Sequence, residues 1–195
     1  MFISNLSSII ASGSQITIYL AIGYALVLIG LSFKAAIAPF HQWAPDVYSG
    51  APTVVTAFMS TSGKAAALIA LVIVTKPLLP AFNIIDDLGN LSTNNLQMIL
   101  AIMSAITMMI GNITALVQKN VKRMLAYSSV AHAGYLMMGI VADNQLGWQG
   151  IAYYATAYLF MQIGAFVIVA LIERTDDSHL NIEDYIGLSL SLIHI

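Results

Sequence analysis

The sequence predicts an all-α protein: a polytopic transmembrane helix bundle of about five spans, the first of them discontinuous and broken at a proline. Three observations predict this. Hydrophobic residues make up 59% of the chain and charged residues 8%, whereas a soluble domain carries about 25% charged residues. Apolar runs that approach the about 20 residues needed to cross a bilayer recur five times between polar stretches. The period-two alternation of an outer-membrane barrel is not seen in the sequence.

Composition excludes several classes. A mean hydropathy of +0.85 leaves too few charged residues to coat a soluble globule. The net charge of −2 provides no basic field for nucleic acid. The chain has no Cys, which rules out disulfides, thiolate iron–sulfur ligation and a Cys nucleophile within it. Neither a Rossmann nor a P-loop pattern occurs.

Residues 1–15 are Ser-rich and lack basic residues, unlike a signal peptide. They read as an extramembrane lead-in or a truncated end. The spans follow at about 16–40, 54–75, 96–117, 124–142 and 151–172. The first contains Lys34, the second Lys64 and the fourth His132, and the third and fifth carry no charge. Between them lie a Pro- and Asp-containing loop from Lys76 to Asn95, a basic turn from Lys119 to Arg123, and a polar turn over 143–150. Trp148 in that last turn is placed as an interface anchor. Lys119, Lys122, Arg123 and Arg174 fall on one side of a five-span topology, against Lys76 alone on the other. The basic side is therefore expected to be cytoplasmic and the N-terminus outside.

Ionisable groups inside apolar spans are expensive and mark functional sites by default. Lys64 lies near mid-span, where snorkelling to an interface is a long reach. Lys34 has two readings. It snorkels if the buried run ends near Phe40, and it is central if the run extends to about Ala44. Pro39, five residues on, removes a backbone donor and favours a break, as in the broken helices of transporters. His132 has a side chain suited to proton relay, or is a packing residue satisfied by Ser128 and Ser129 on its own face. His41, Asp46 and Tyr48 fall in the loop after the first span; His41 and Asp46 either pair to gate access to Lys34 or lie in a solvated loop, and they do not make a metal site. Asp86-Asp87 and Asp176-Asp177 read as solvated loop charge. Ala35, Ala36, Gly63, Ala65 to Ala67, Gly111, Gly134 and Gly164 permit close helix packing. The Met residues at 98, 103, 108 and 109 read as filling of irregular space in the bundle.

Several motifs recur together: Phe33-Lys34, Pro39-Phe40-His41-Gln42-Trp43, Pro45-Asp46-Val47-Tyr48, Gly50-Ala51-Pro52-Thr53, Ser62-Gly63-Lys64, Gly111-Asn112, the run from Asn120 to Ser129, His132 with Gly134-Tyr135, and Asn181-Ile182 with Asp184-Tyr185 and Gly187. With them the chain resembles the antiporter-like membrane subunits of respiratory complex I. The subunit N type, also called subunit 2, and its chloroplast NAD(P)H dehydrogenase counterpart are the nearest forms. The resemblance implies that the five spans match the seventh to eleventh of the family's fourteen helices. Lys34, Lys64 and His132 then match proton-relay positions, with Pro39 and His41 at the helix break and gate. It implies a fragment of a proton-translocating subunit of NADH:quinone oxidoreductase, a translocase in a bacterial plasma (inner) membrane, contacting lipid and other membrane subunits of the complex. NADH, FMN, iron–sulfur clusters and quinone are implied for partner subunits, and no cofactor for this chain. The family's fifth-helix glutamate and twelfth-helix ionisable residue have no counterpart here. Rival readings are a Mrp-type cation/proton antiporter subunit and a structural membrane subunit with inert lysines.

The resemblance divides the chain into the lead-in, a proton-translocating module over 16–188, and residues 189–195. The last stretch is expected to be a non-native tail, because Leu190 to Ile195 match the translation of a common sequencing adapter. His194 then has no role, and resequencing the locus to find a natural codon run there would reject the idea. The topology has its own test. Cysteines introduced at Asn120 and Ser49 of the full-length subunit should be labelled from the same, cytoplasmic, side of the membrane, and labelling from opposite sides would refute five spans.

Overall fold

A computed structural model describes residues 14–79, 95–173 and 180–186. The lead-in up to residue 13, the pairs Asp86-Asp87 and Asp176-Asp177, and the tail from 189 lie outside the described residues. Six helices follow one another: α1 (Ser14–Ala35), α2 (Trp43–Gly50), α3 (Thr53–Thr75), α4 (Asn95–Leu116), α5 (Val121–Ala142) and α6 (Gln145–Ile172). A 3₁₀ turn over Ile182–Tyr185 closes the described chain. Helices α3 to α6 are long and apolar enough to cross a membrane, and α1 adds a shorter apolar helix, Tyr19–Ala35.

Two spans begin earlier than the sequence suggests, and caps explain both. The Asn120 side chain accepts the Arg123 amide at 3.0 Å, so α5 starts at Val121 and takes Lys122 and Arg123 into its first turn. The Asn144 side chain accepts the Gly147 amide at 2.7 Å, so the polar turn shrinks to Asp143 and Asn144, and Trp148 belongs to α6. An N-cap of this kind satisfies one of the orphan donors at a helix start.

Helix α1 ends before Pro39. Ala36 adopts a left-handed conformation, φ 57°. The amide of Ile37 reaches back to the Ser32 carbonyl at 2.8 Å and that of Ala36 to the Phe33 carbonyl at 3.1 Å. This is a Schellman termination with Ala where Gly is usual. Residues 36–42 then run as turns containing Pro39 before α2 begins. Irregular backbone inside a membrane protein must be satisfied by protein, and here it is. Thr107 Oγ1 on α4 accepts the Ala38 amide at 3.0 Å, and Trp43 Nε1 donates to the Phe33 carbonyl at 2.8 Å.

Helices α1 and α3 pack antiparallel. Tyr24 shares a 2.8 Å hydrogen bond with Thr75, while ten residues later in α1 Lys34 lies over Gly63. Their buried Tyr24, Leu28, Ala67, Leu68 and Leu71 join Leu100, Leu136 and Met137 of α4 and α5 in one apolar core. Helices α4 and α5 approach most closely. A β-carbon on Gly111 would sit 2.5 Å from the Ala131 amide nitrogen, and one on Gly134 2.7 Å from Met108 Cγ. Ser104 Oγ adds a hydrogen bond to the Gly134 carbonyl at 2.8 Å. Gly164, expected to serve the same purpose, has nothing within 4 Å of its β-position. Small residues matter in such bundles because they bring backbones together.

Gly111→Val should therefore force α4 and α5 apart and cost about 1–3 kcal/mol, the usual range for overpacking. Gly164→Ala should be near neutral. Thermal unfolding of the full-length subunit in detergent checks both, and equal stability of the two variants would contradict the packing described.

Candidate functional site

Helix α3 carries a stripe of buried polar side chains at helical spacing: Thr53, Thr56, Ser60, Lys64 and Thr75. In its middle, Met59–Gly63 form a π-helical turn. Such turns insert one residue into a helix and are frequent at functional sites. The hydroxyls of Ser60, Thr61 and Ser62 donate back to the Ala57 and Phe58 carbonyls at 2.7–3.0 Å. These bonds satisfy acceptors that a disturbed ladder would otherwise leave open.

Lys64 follows the π turn directly and is 2% exposed. Its Nζ donates to Ser129 Oγ on α5 at 2.6 Å, and Ser129 Oγ donates onward to the Ala126 carbonyl at 2.8 Å. The ammonium also lies 5.6 Å from the ring centroid of Tyr48 on α2, within cation–π range. Tyr48 is fully buried. From α6, the buried Tyr158 hydroxyl donates to the Ser60 carbonyl at 3.3 Å and also reaches Ser129. Helices α2, α5 and α6 thus surround the Lys64 segment of α3. A cavity of about 20 Å³ beside it, lined by Thr61, Ser129, Ala133 and Tyr158 among others, is large enough for a single water.

His132 is one helical turn beyond Ser129 on α5. Its Nδ1 lies 2.6 Å from the Tyr154 hydroxyl, and its ring centroid is 4.8 Å from that of Tyr158 and 5.6 Å from that of Tyr135. Ser129 therefore serves Lys64, not His132 as the helix-face argument allowed. A tyrosine from the next helix satisfies the histidine instead. Tyr158 lies between the two sites, its hydroxyl at the π turn and its ring against His132.

Lys34 occupies the last turn of α1 and is exposed on the open side of the described helices. A β-carbon on Gly63 would be 3.9 Å from Lys34 Cε and 4.0 Å from Nζ. The two lysines thus address adjacent positions of α3, Lys34 at Gly63 from outside and Lys64 pointing inward. Pro39 is exposed and His41 half-buried beside the Pro39 backbone. The His41–Asp46 pairing weighed from sequence is not formed. Asp46 pairs with Arg123 at 3.0 Å.

Sequence reasoning missed the second buried lysine. Lys122, read as a loop charge, is 1% exposed and bonds Glu173 at 2.5 Å. Its signal was weak because it borders the apolar run and has two other basic residues close by. Tyr154 and Tyr158 were equally hidden, since an aromatic within an apolar stretch carries no mark of its polar end, and Tyr48, read with His41 and Asp46 as part of a loop, is instead fully buried in α2. Among the described residues, no group of three or more His, Asp or Glu could hold a metal ion.

Comparison with known proteins places the chain in a family. Residues 2–192 match the family described as NADH:quinone oxidoreductase/Mrp antiporter, TM. The chain is 45% identical over 174 residues to NADH-quinone oxidoreductase subunit N 1 of Chloroherpeton thalassium, covering 89% of this chain and 35% of that protein. It is 48% identical over 169 residues to the chloroplastic NAD(P)H-quinone oxidoreductase subunit 2 of Mesostigma viride, covering 87% of this chain and 32% of that one. A chain of respiratory complex I from Thermus thermophilus superposes with a TM-score of 0.61 at 40% identity, over 76% of this chain and 30% of that one. The chain thus spans about a third of the length of the curated relatives it matches. The chain belongs to the NADH:quinone oxidoreductase/Mrp antiporter transmembrane family.

Proposed function

We propose that this chain is the central part of a proton-translocating subunit of NADH:quinone oxidoreductase, and that Lys64 is the pivot of its proton relay. The observation that carries the reading is Lys64 itself: a fully buried lysine after a π turn, with Nζ 2.6 Å from a serine hydroxyl. A hydroxyl accepts and donates at once, so Ser129 takes a hydrogen bond from Lys64 while its own proton points to the Ala126 carbonyl. Tyr158 extends the polar contacts toward His132, which Tyr154 holds in place. Lys34, against Gly63, is the partner on the other side of α3. Lys34 of α1 and Lys64 of α3, cations on either side of the same turn of α3, repel in a low-dielectric surrounding. Charge arriving next to one lysine then redistributes the proton of the other. Segment 36–42, with Pro39 and His41, is the break through which water reaches Lys34.

In this reading the protein resides in a bacterial plasma membrane, with its basic loops cytoplasmic, among other membrane subunits of the complex. NADH, FMN, iron–sulfur clusters and quinone act in partner subunits, so the chain is part of a translocating oxidoreductase without redox chemistry of its own. The names of the relatives favour this over a Mrp-type antiporter. The burial and pairing of Lys64 favour it over inert structural lysines.

Lys64→Ala and Lys34→Ala in the full-length subunit should each lower proton pumping by roughly tenfold or more, as expected when a positioned acid–base group is lost. Quinone reduction should fall with pumping. Lys64→Arg should not restore it, because Arg keeps its proton, and Lys76→Ala should behave as the parent. Pumping and quinone reductase assays in membranes, with assembly checked, decide the matter. Parent-like pumping by assembled Lys34→Ala and Lys64→Ala variants would make the lysines structural.

A further inference from the structure

A second buried charge cluster lies outside the relay. Lys122, in the first turn of α5, places Nζ 2.5 Å from Glu173 Oε1 at the end of α6 and 3.4 Å from the Ala51 carbonyl between α2 and α3. The Thr53 hydroxyl, in the first turn of α3, donates to the other Glu173 oxygen. One cation thus ties the start of α5, the end of α6 and the α2–α3 corner together. Taking both charges out of water is costly, and a buried pair is weak evidence for stability, since apolar residues of like volume often replace it without loss. What an apolar replacement cannot supply is a fixed corner.

That corner bears directly on Lys64. Tyr48 sits in the last turn of α2 and lies over the Lys64 ammonium. Its carbonyl accepts the Thr56 hydroxyl at 3.0 Å, and Thr56 Oγ1 also reaches the Ala51 carbonyl at 3.4 Å. Lys122 holds that same Ala51 carbonyl from the opposite helix. Beneath α2, Ala44 and Tyr48 pack with Ala36, Ala126 and Val130. The neighbouring Arg123–Asp46 pair is exposed on both sides, and such pairs contribute little. Beside the Trp43–Phe33 and Thr56–Tyr48 hydrogen bonds, the inner pair is the buried ionic fastening at the C-terminal end of α2.

We propose that Lys122 and Glu173 are positioning residues for the Lys64 site: their ion pair fixes the α2–α3 corner and keeps α2, with Tyr48, closed over the Lys64 ammonium. The effect on transport rests on the relay reading above; the closure does not.

The test uses the full-length subunit assembled in membranes, with Ala44→Cys as a probe beneath α2 and Val47→Cys, exposed on α2, as the reference. A water-soluble maleimide should label the reference thiol at position 47 readily and the probe thiol at position 44 slowly. Lys122→Met, matched in length, and Glu173→Gln should each speed labelling of the probe by roughly tenfold, as expected when a local closure is loosened. Lys122→Arg should keep probe labelling within about twofold of the parent, since it retains the charge pair. Pumping should fall in the Met and Gln variants and be largely kept by Arg. If Lys122→Met does not assemble, Glu173→Gln and Lys122→Arg decide by the same criterion. Unchanged labelling at position 44 in the assembled Met and Gln variants overturns the proposal, whatever pumping does. Faster labelling alongside parent-like pumping by Lys64→Ala supports the closure and removes the relay reading instead.

Discussion

A lysine ammonium inside a bundle of apolar helices needs a partner, and nearly every irregular feature of this fold serves that need. Lys64 follows the π turn directly and reaches Ser129 on α5. A single residue inserted into an α-helix rotates all that follows by about 100°, and the π turn over Met59–Gly63 is such an insertion. Thr53 and Thr56 before the turn, Ser60 within it and Lys64 just after it are all buried. The Ser60, Thr61 and Ser62 hydroxyls satisfy nearby helix carbonyls without help from water, and the Tyr158 hydroxyl takes the carbonyl of Ser60. The cost of irregular backbone is met locally, and the gain is an amine placed against α5.

The second interruption follows the same logic. Stopping α1 at a left-handed Ala36 leaves polar backbone among apolar helices, and the structure satisfies it from two directions, with Thr107 of α4 and Trp43 of α2. Those bonds do more than remove a penalty. They tie the break to α4 and α2, so the position of Lys34 in the last turn of α1 is linked through α2 to the helix whose Tyr48 lies against Lys64. A change in either lysine's charge thus acts on a packed and hydrogen-bonded unit.

Much of this fold is legible in the sequence because the bilayer constrains it so strongly. Apolar length alone places α3, α4 and α6 to within a few residues at their inner ends. Lys64 stands out because a charge in an apolar run is rare. What the sequence hides is phase and partnership. Ser60-Thr61-Ser62-Gly63 reads as a polar dip in a span and not as a π turn, since hydroxyls that bond their own helix look the same in either geometry. Lys122 reads as one of several loop charges, since nothing local shows that Glu173, about fifty residues on, lies against it. Ser129 is visible on the His132 face of α5, but which residue it serves depends on the approach of α3. Tyr154 and Tyr158 look like packing residues, and Tyr48 like a loop residue, until the helices meet.

The π turn and the contact that Lys64 makes beyond it can be observed directly. A structure of the full-length subunit in lipid, at a resolution that places side chains, should show a widened turn over Met59–Gly63 with Lys64 Nζ within hydrogen-bond distance of Ser129 Oγ. A regular α-helix through residues 59–63, with Lys64 turned to lipid or bonded elsewhere, would contradict it.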